Sequence, residues 1–188
     1  MGSIGQVTLT VNDDILAEGN EMATLTMSNP SAGIGLGTTT NQSVIIADND
    51  TAGITITPTT GLTTTEAGGT ATFSVALNTQ PTADVTLGLT SSNSAEGTID
   101  KNTVTFTSAN WNTPQTITVT GIDDSMADGN QAYQILTSAD TTTTDTNYKN
   151  LNPSDVAVSN TDNETAGISI TPTTGLTTTE AGGTATFS

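Results

Sequence analysis

Apolar and polar residues alternate along short stretches of this chain. In residues 69–77, GTATFSVAL, the side chains of Ala71, Phe73, Val75 and Leu77 are separated by the small residues Thr72, Ser74 and Ala76, the period-2 pattern of a strand with one buried face. The same alternation, with a high content of β-branched residues, predicts strands over 53–58, 69–77, 84–91, 103–107, 115–121, 131–138 and 155–161. No stretch carries a helical period. Gly, Pro, Asn and Asp fill the gaps, as in NTQPTAD (78–84) and NLNPSD (150–155), which are turn chemistries rather than helix caps. Seven strands in about 110 residues predict an all-β fold, an antiparallel immunoglobulin-like sandwich.

The pattern recurs. Residues 51–74, TAGITITPTTGLTTTEAGGTATFS, return as residues 165–188 with one change, Thr55 to Ser169, at an offset of 114 residues. VTLTVNDDILAEGNE from Val7 corresponds to ITVTGIDDSMADGNQ from Ile117 at an offset of 110, and Asp48-Asn49-Asp50 corresponds to Asp162-Asn163-Glu164, again at 114. The chain therefore reads as the last part of one repeat (1–50), one complete repeat (51–164) and the opening of another (165–188). A repeat of this length is the size of an independently folding domain rather than of a solenoid unit, so tandem sandwiches in an array are expected.

Strand order then places the acidic residues. If consecutive strands run up and down, the first, third and fifth connections and the end of the last strand share one pole. Glu66, Glu96, Asp100, Asp123, Asp124, Asp128, Asp162 and Glu164 fall there, eight of the twelve acids of the complete repeat; Asp84, Asp140, Asp145 and Asp155 fall toward the other end. Two unit charges about 4 Å apart repel by roughly 1 kcal/mol in water and about 4 kcal/mol at an effective dielectric near 20. A typical domain is stable by only about 5–15 kcal/mol, so such a pole requires a counter-charge.

Composition narrows what that charge is. The chain carries 19 Asp plus Glu against 2 Lys plus Arg, a net charge of −17, which disfavours nucleic acid and anionic membranes as partners. With no Cys and no His there are no disulfides, no thiolate or imidazole ligands, and no nucleophile–histidine catalysis. Only oxygen ligands remain, and six to eight of them are what Ca²⁺ takes, whereas Mg²⁺ keeps much of its water. Acidic loops on an acidic protein are often only a solvated surface, but the clustering by strand parity and its recurrence in the first copy favour a cation site. The loop is not an EF-hand, because Met126 occupies its third position counted from Asp124 and no Glu closes it; the Gly-rich nonapeptide of RTX proteins is also absent. Hydrophobic residues are 32% and aromatics 3% of the chain, lean enough for thin strand-built modules. No apolar run spans a bilayer and no signal peptide opens the chain; Met1-Gly2-Ser3 resembles an expression scar.

Several motifs together resemble the Calx-beta domain: a Glu shortly after the first strand (Glu66, Glu180), SAEGTI (94–99), the DD loop followed by an acid four residues after its second Asp, and the closing DND or DNE. Residues 89–135 are also similar to repeats of bacterial adhesin-like proteins. The resemblance covers essentially the whole chain and implies calcium ligands at Glu66, Glu96, Asp123, Asp124, the Met126 carbonyl, Asp128, Asp162 and Glu164. In the first copy it implies Asp13, Asp14, the Leu16 carbonyl, Glu18, Glu21, Asp48 and Asp50. Gln131 stands where the first copy has Glu21, and Asn163-Glu164 departs from an all-Asp terminus.

Other residues read more simply. Trp111 is expected to plug an end of the core, with sugar stacking as the rival role, and Tyr133, Phe73 and Phe106 are expected in the core. The sequons at Asn41 and Asn163 fit chance in a chain this rich in Asn, Ser and Thr, and Gly19 and Gly129 are expected to turn the acidic loops through positive φ. The expected function is a calcium-rigidified structural repeat in the shaft of a bacterial extracellular surface protein or adhesin, with calcium ions and adjacent repeats as partners. A filament-forming subunit is the alternative, although the two partial copies joined head to tail would lack the counterparts of residues 75–110. A module binding cell-surface glycans is weaker, since Trp111 belongs to the pole opposite the acids. Catalysis is not expected: paired carboxylates serve glycoside hydrolysis, but nothing in the sequence points to a cleft or to a general acid of raised pKa.

Overall fold

The computed structural model describes residues 5–188, so residues 1–4, Met1-Gly2-Ser3 among them, lie outside the described residues. Among the described residues eleven strands form, in chain order β1 (Glu21–Thr26), β2 (Asn41–Ile46), β3 (Ile54–Thr57), β4 (Leu62–Thr65), β5 (Thr70–Leu77), β6 (Val85–Ser91), β7 (Gly97–Ile99), β8 (Thr103–Phe106), β9 (Gln115–Gly121), β10 (Gln131–Ser138) and β11 (Val156–Thr161). β3 to β11 build a sandwich from a five-stranded sheet, β4-β11-β10-β6-β8, and a four-stranded sheet, β3-β5-β9-β7. It is an immunoglobulin-like all-β fold. Among the described residues no helix is long and apolar enough to cross a membrane.

Alternation explains the core. Phe73, Val75 and Leu77 of β5 point inward, as do Val85, Leu87 and Leu89 of β6, Ile117 and Val119 of β9, Tyr133 and Ile135 of β10, and Val156 and Val158 of β11. Burying such side chains contributes about 1.5–3 kcal/mol each, which offsets the ordering of the strands. Trp111 packs on this core, half-buried, and its backbone carbonyl accepts the Leu77 N–H at the end of β5.

The sandwich departs from the expectation of a purely antiparallel fold. The stretch after β3 crosses to the opposite sheet, where β4 pairs with β11 in parallel, Leu62 opposite Val158 through Thr65 opposite Thr161. Pro58 lacks an N–H and cannot extend the β3 ladder, so the chain leaves that sheet there. β7, only three residues long, is a second addition, pairing with the end of β9.

Three of the four distal acids, Asp140, Asp145 and Asp155, are structural. Asp140 accepts the N–H groups of Thr86, Thr142 and Thr143 and the Thr142 hydroxyl. Burial pushes its carboxyl up, but these donors outweigh burial and hold it down at about 2. Asp145 accepts from Thr82, Asn147 and Tyr148, and Asp155 from the Thr137 N–H. Together they fold the long β10–β11 connection onto Tyr148, which is fully buried with its hydroxyl donating to the Thr79 carbonyl at 2.8 Å.

The flanking copies repeat parts of this pattern. β1 and β2 pair with Glu21 opposite Ile46, the register of Gln131 opposite Asn160 in the complete repeat. The change of offset from 110 to 114 therefore lies in the connection after this strand. The first copy abuts the complete repeat, with the Gln80 N–H donating to the Ile15 carbonyl at 3.0 Å and the Asn147 amide donating to Ala17.

Candidate metal centre

The pole predicted from strand parity gathers carboxylates in two groups, Glu66 with Asp162 and Glu164, and Glu96 with Asp124 and Asp128. Within each group one oxygen per residue lies within 4.8 Å of the others. Glu66 is the first residue beyond β4 and continues the ladder, its N–H donating to the Thr161 carbonyl at 3.1 Å. The parallel β4–β11 pair thus sets Glu66 beside the point where Asp162, Asn163 and Glu164 leave β11. The Glu66 carboxylate accepts the Asn163 N–H at 3.0 Å.

Glu96 is held in the turn before β7, its carbonyl accepting the Ile122 N–H at 3.0 Å at the mouth of the acidic loop. That loop is closed by its own backbone. Asp124 accepts the Met126 N–H at 2.6 Å, and Asp162 accepts the N–H of Gly129 at 2.6 Å and of Glu164 at 2.7 Å. Gly129 has φ +77, as expected for the turn back into β10. Gly121 opens the loop because a Cβ there would strike the Thr65 carbonyl and the Asn160 amide.

Beneath the carboxylates lies a polar layer that sequence reasoning missed. Asn160, fully buried, donates to the Glu96 carboxylate at 3.3 Å and to the Ile122 carbonyl at 3.0 Å, and accepts the Thr64 hydroxyl at 2.9 Å. The Tyr133 hydroxyl lies 3.3 Å from the Thr64 hydroxyl. Burial, with the Glu96 charge, pushes the Tyr133 phenol up against the Thr64 hydrogen bond that favours its ionised form. The available signal was the inward parity of Asn160 after Val156 and Val158, since a polar residue at a core position requires partners.

Of the eight candidate ligands in this repeat, six fall in the two groups. Asp123 instead accepts the Asn163 side-chain amide at 3.1 Å, and the Met126 carbonyl accepts the Asp128 N–H at 2.9 Å. Asp100, expected at this pole though not as a ligand, accepts the Thr118 N–H at 2.8 Å.

The first copy repeats five hydrogen bonds of the acidic loop and differs at Glu18, whose N–H donates to Asp48 where that of Asp128 donates to Met126. Leu16 N–H to Asp14, Gly19 N–H to Asp48, Asp50 N–H to Asp48, Asp48 N–H to Asn20, and the Asn49 amide to Asp13 reproduce the five bonds at Met126, Gly129, Glu164, Asp162 and Asn163. All seven of its candidates, Asp13, Asp14, Leu16, Glu18, Glu21, Asp48 and Asp50, line one cavity of about 220 Å³.

The electrostatics of the two copies also agree. Backbone N–H groups hold Asp162 and Asp48 below the usual carboxylate range. Glu164 is pushed up to about 7, first by a hydrogen bond with Glu66, then by burial, by Asp162 and by the charges of Glu66 and Asp123. Asp50 is raised by burial and then by Asp48, Asp13 and Asp14, while Glu18 is raised first by the charge of Asp14. A carboxyl of raised pKa is thus present where the sequence offered no sign of one, because its neighbours supply only negative charge. Glu164 Oε2 is buried with no hydrogen-bond partner. An orphaned carboxylate oxygen in an all-oxygen donor set fits a hard divalent cation. The chain offers two cationic side chains, and that of Lys101 donates to the Thr116 carbonyl at 2.6 Å.

No protein-family model and no curated protein matches the chain. Similar solved structures include WR4, an MSP family member of C. elegans, 10% identical with a TM-score of 0.39 over 57% of this chain and 95% of that one. They also include domains 4 and 5 of the S-layer protein SbsC, 16% identical with a TM-score of 0.38 over 64% of this chain and 59% of that one.

Proposed function

We propose that the chain is a calcium-binding structural array, in which Ca²⁺ neutralises the acidic pole of each sandwich and stiffens its junction with the next, as in the shaft of an extracellular surface protein. The observation that carries this reading is the pair of three-carboxylate groups, each with one buried member, Glu66 or Glu96, and one of them with the orphaned Glu164 oxygen. Two groups suggest two ions per complete repeat. Asp162 and Glu164 run directly into Thr165 of the next copy, so an ion held there ties the exit of one sandwich to the entry of another. The Calx-beta resemblance points the same way through its motifs. Extracellular modules bind Ca²⁺ at about 10⁻⁴–10⁻³ M, a range in which such a joint is rigid outside a cell.

Metal content at dialysis equilibrium with millimolar calcium tests the reading. Glu66→Gln and Glu96→Gln are each expected to lower the bound calcium by one ion per chain. Wild-type chain that retains no calcium above buffer would overturn it.

A further inference from the structure

The acidic loop of the first copy faces two ways. Asp14, Leu16 and Glu18 line its carboxylate cavity, whereas Ile15 and Ala17, which alternate with them, do not. The carbonyls of those two residues are taken up instead by the next repeat: the Gln80 N–H donates to Ile15 at 3.0 Å, and the Asn147 side-chain amide donates to Ala17. A third bond lies three residues beyond Asp50, where the Asn78 N–H donates to the Gly53 carbonyl at 2.9 Å. Gly53 permits that approach, because a Cβ there would strike the Asn78 side-chain amide.

The receiving surface is fixed from beneath. Asn78 and Gln80 stand on the turn after β5, and Asn147 stands on the β10–β11 connection. Buried Asp145 ties the two together, accepting the Thr82 N–H at 2.7 Å and the Asn147 N–H at 2.9 Å. The Gln80 side chain is held in turn by the Ser108 carbonyl at 2.9 Å. Asn147 itself is exposed, and its side-chain amide crosses to the repeat before it. Neighbouring domains move relative to one another unless their interface restrains them, and bonds to two separate turns restrain rotation that a single linker leaves free.

We propose that these two turns of each repeat seat the acidic loop of the repeat before it, and that Asn147 is thereby a positioning residue for a calcium site it does not touch. The effect on the site rests on the calcium reading above; the seating does not. Calcium on the cavity side fixes the loop backbone, which holds the Ile15 and Ala17 carbonyls where Gln80 and Asn147 meet them. Seating fixes the same backbone from the other side and so favours calcium by the same factor. Recognition through main-chain carbonyls does not read side chains. The loop of the complete repeat, with Ser125 for Ile15 and Ala127 for Ala17, therefore offers the same pair of carbonyls to a following repeat. Each junction of an array is then a two-sided contact, with metal on one side of the loop and a neighbour on the other.

Two measurements on the full chain test the two parts. The chain has no Cys, so nitroxide labels on Ser43→Cys in β2 and Thr103→Cys in β8 report the distance between the repeats by pulsed electron resonance. In EDTA, Asn147→Ala is expected to deplete the seated distance about three- to tenfold relative to the unseated one, the worth of one hydrogen bond, while Thr146→Ala, at an exposed neighbour, leaves it unchanged. A distance distribution that Asn147→Ala does not alter overturns the seating. Calcium titration reads the coupling in a Glu66→Gln, Glu96→Gln background, in which the site of the first copy is the one to fill. Asn147→Ala is expected to weaken that site about three- to tenfold and, with Glu66 and Glu96 restored, to leave the calcium bound by the complete repeat unchanged. Equal affinity with and without the Asn147 amide overturns the coupling and keeps the seating. A wild-type chain that binds no calcium overturns the calcium reading and the coupling with it, and the distances in EDTA still decide the seating.

Discussion

Asn160→Ala separates the support of the metal site from the site itself. The substitution removes the hydrogen bonds to Glu96, Ile122 and Thr64 from a position that is 1% exposed. A hydrogen bond to a charged partner contributes about 1.5–3 kcal/mol and each neutral one about 0.5–1.5 kcal/mol, with buried partners left unsatisfied. The expected loss is therefore about 3–5 kcal/mol. For a domain of this size that lowers the melting temperature by roughly 10–25 °C, read by differential scanning calorimetry in EDTA. With Glu96 released from its hydrogen bond, calcium affinity should also fall about 10- to 100-fold, as it does when outer-shell partners of a metal ligand are removed. Asn160→Ile provides the comparison, because the first copy carries Ile46 at this position. It should regain part of the stability through apolar contact and none of the affinity. A loss below about 1 kcal/mol for Asn160→Ala, or unchanged calcium affinity in both variants, would refute the claim that Asn160 organises the Glu96 side of the pole.

Three further outcomes follow from other parts of the molecule. Glu164 has a raised pKa of about 7 in the metal-free fold, so it is protonated below that pH and must lose its proton to bind a cation; calcium affinity measured by titration calorimetry should rise between about pH 5 and 7, with proton release visible as a buffer-dependent enthalpy. The same raised pKa stabilises the metal-free fold below the ordinary glutamate pKa, a contribution lost as pH rises through 7. Asp140 has the opposite sign: its stabilisation is present above the ordinary aspartate pKa and lost as pH falls through about 2, and Asp140→Ala should cost about 2–3 kcal/mol in urea unfolding without changing calcium affinity. Tyr148→Phe should cost about 1–2 kcal/mol by the same assay, because it removes the hydroxyl that serves the Thr79 N–H and carbonyl, and it too should leave calcium binding intact.

Strands that bury one face were legible because alternation is what burial of one face demands. β5, with Phe73, Val75 and Leu77 inward, and β9, with Ile117 and Val119 inward, lie where the pattern put them. β4 was not legible, since Leu62 is its one apolar residue and its inward Thr64 is satisfied by Asn160 and Tyr133 rather than by apolar contact. β7 is too short to show a period. The acidic pole followed from strand parity alone, but the split into two groups did not. That split depends on β4 lying parallel to β11, which brings Glu66 to the exit strand, and on the bond from the Ile122 N–H to the Glu96 carbonyl, which brings Glu96 to the loop. The strands of the partial copies mark the limit of local pattern: VTLTV at residue 7 alternates well and forms no strand, because a sheet needs a partner as well as a sequence.

Thermal melting of the chain in EDTA and in calcium tests the central claim most directly. At calcium about tenfold above Kd, the excess that millimolar calcium supplies over a Kd near 10⁻⁴ M, one site stabilises the fold by about 1.4 kcal/mol, a rise of roughly 5–10 °C for a domain of this size. The account predicts at least that rise with calcium, a much smaller one with magnesium, and loss of the rise in a Glu66→Gln, Glu96→Gln double variant. Equal melting temperatures in EDTA and in millimolar calcium would contradict it.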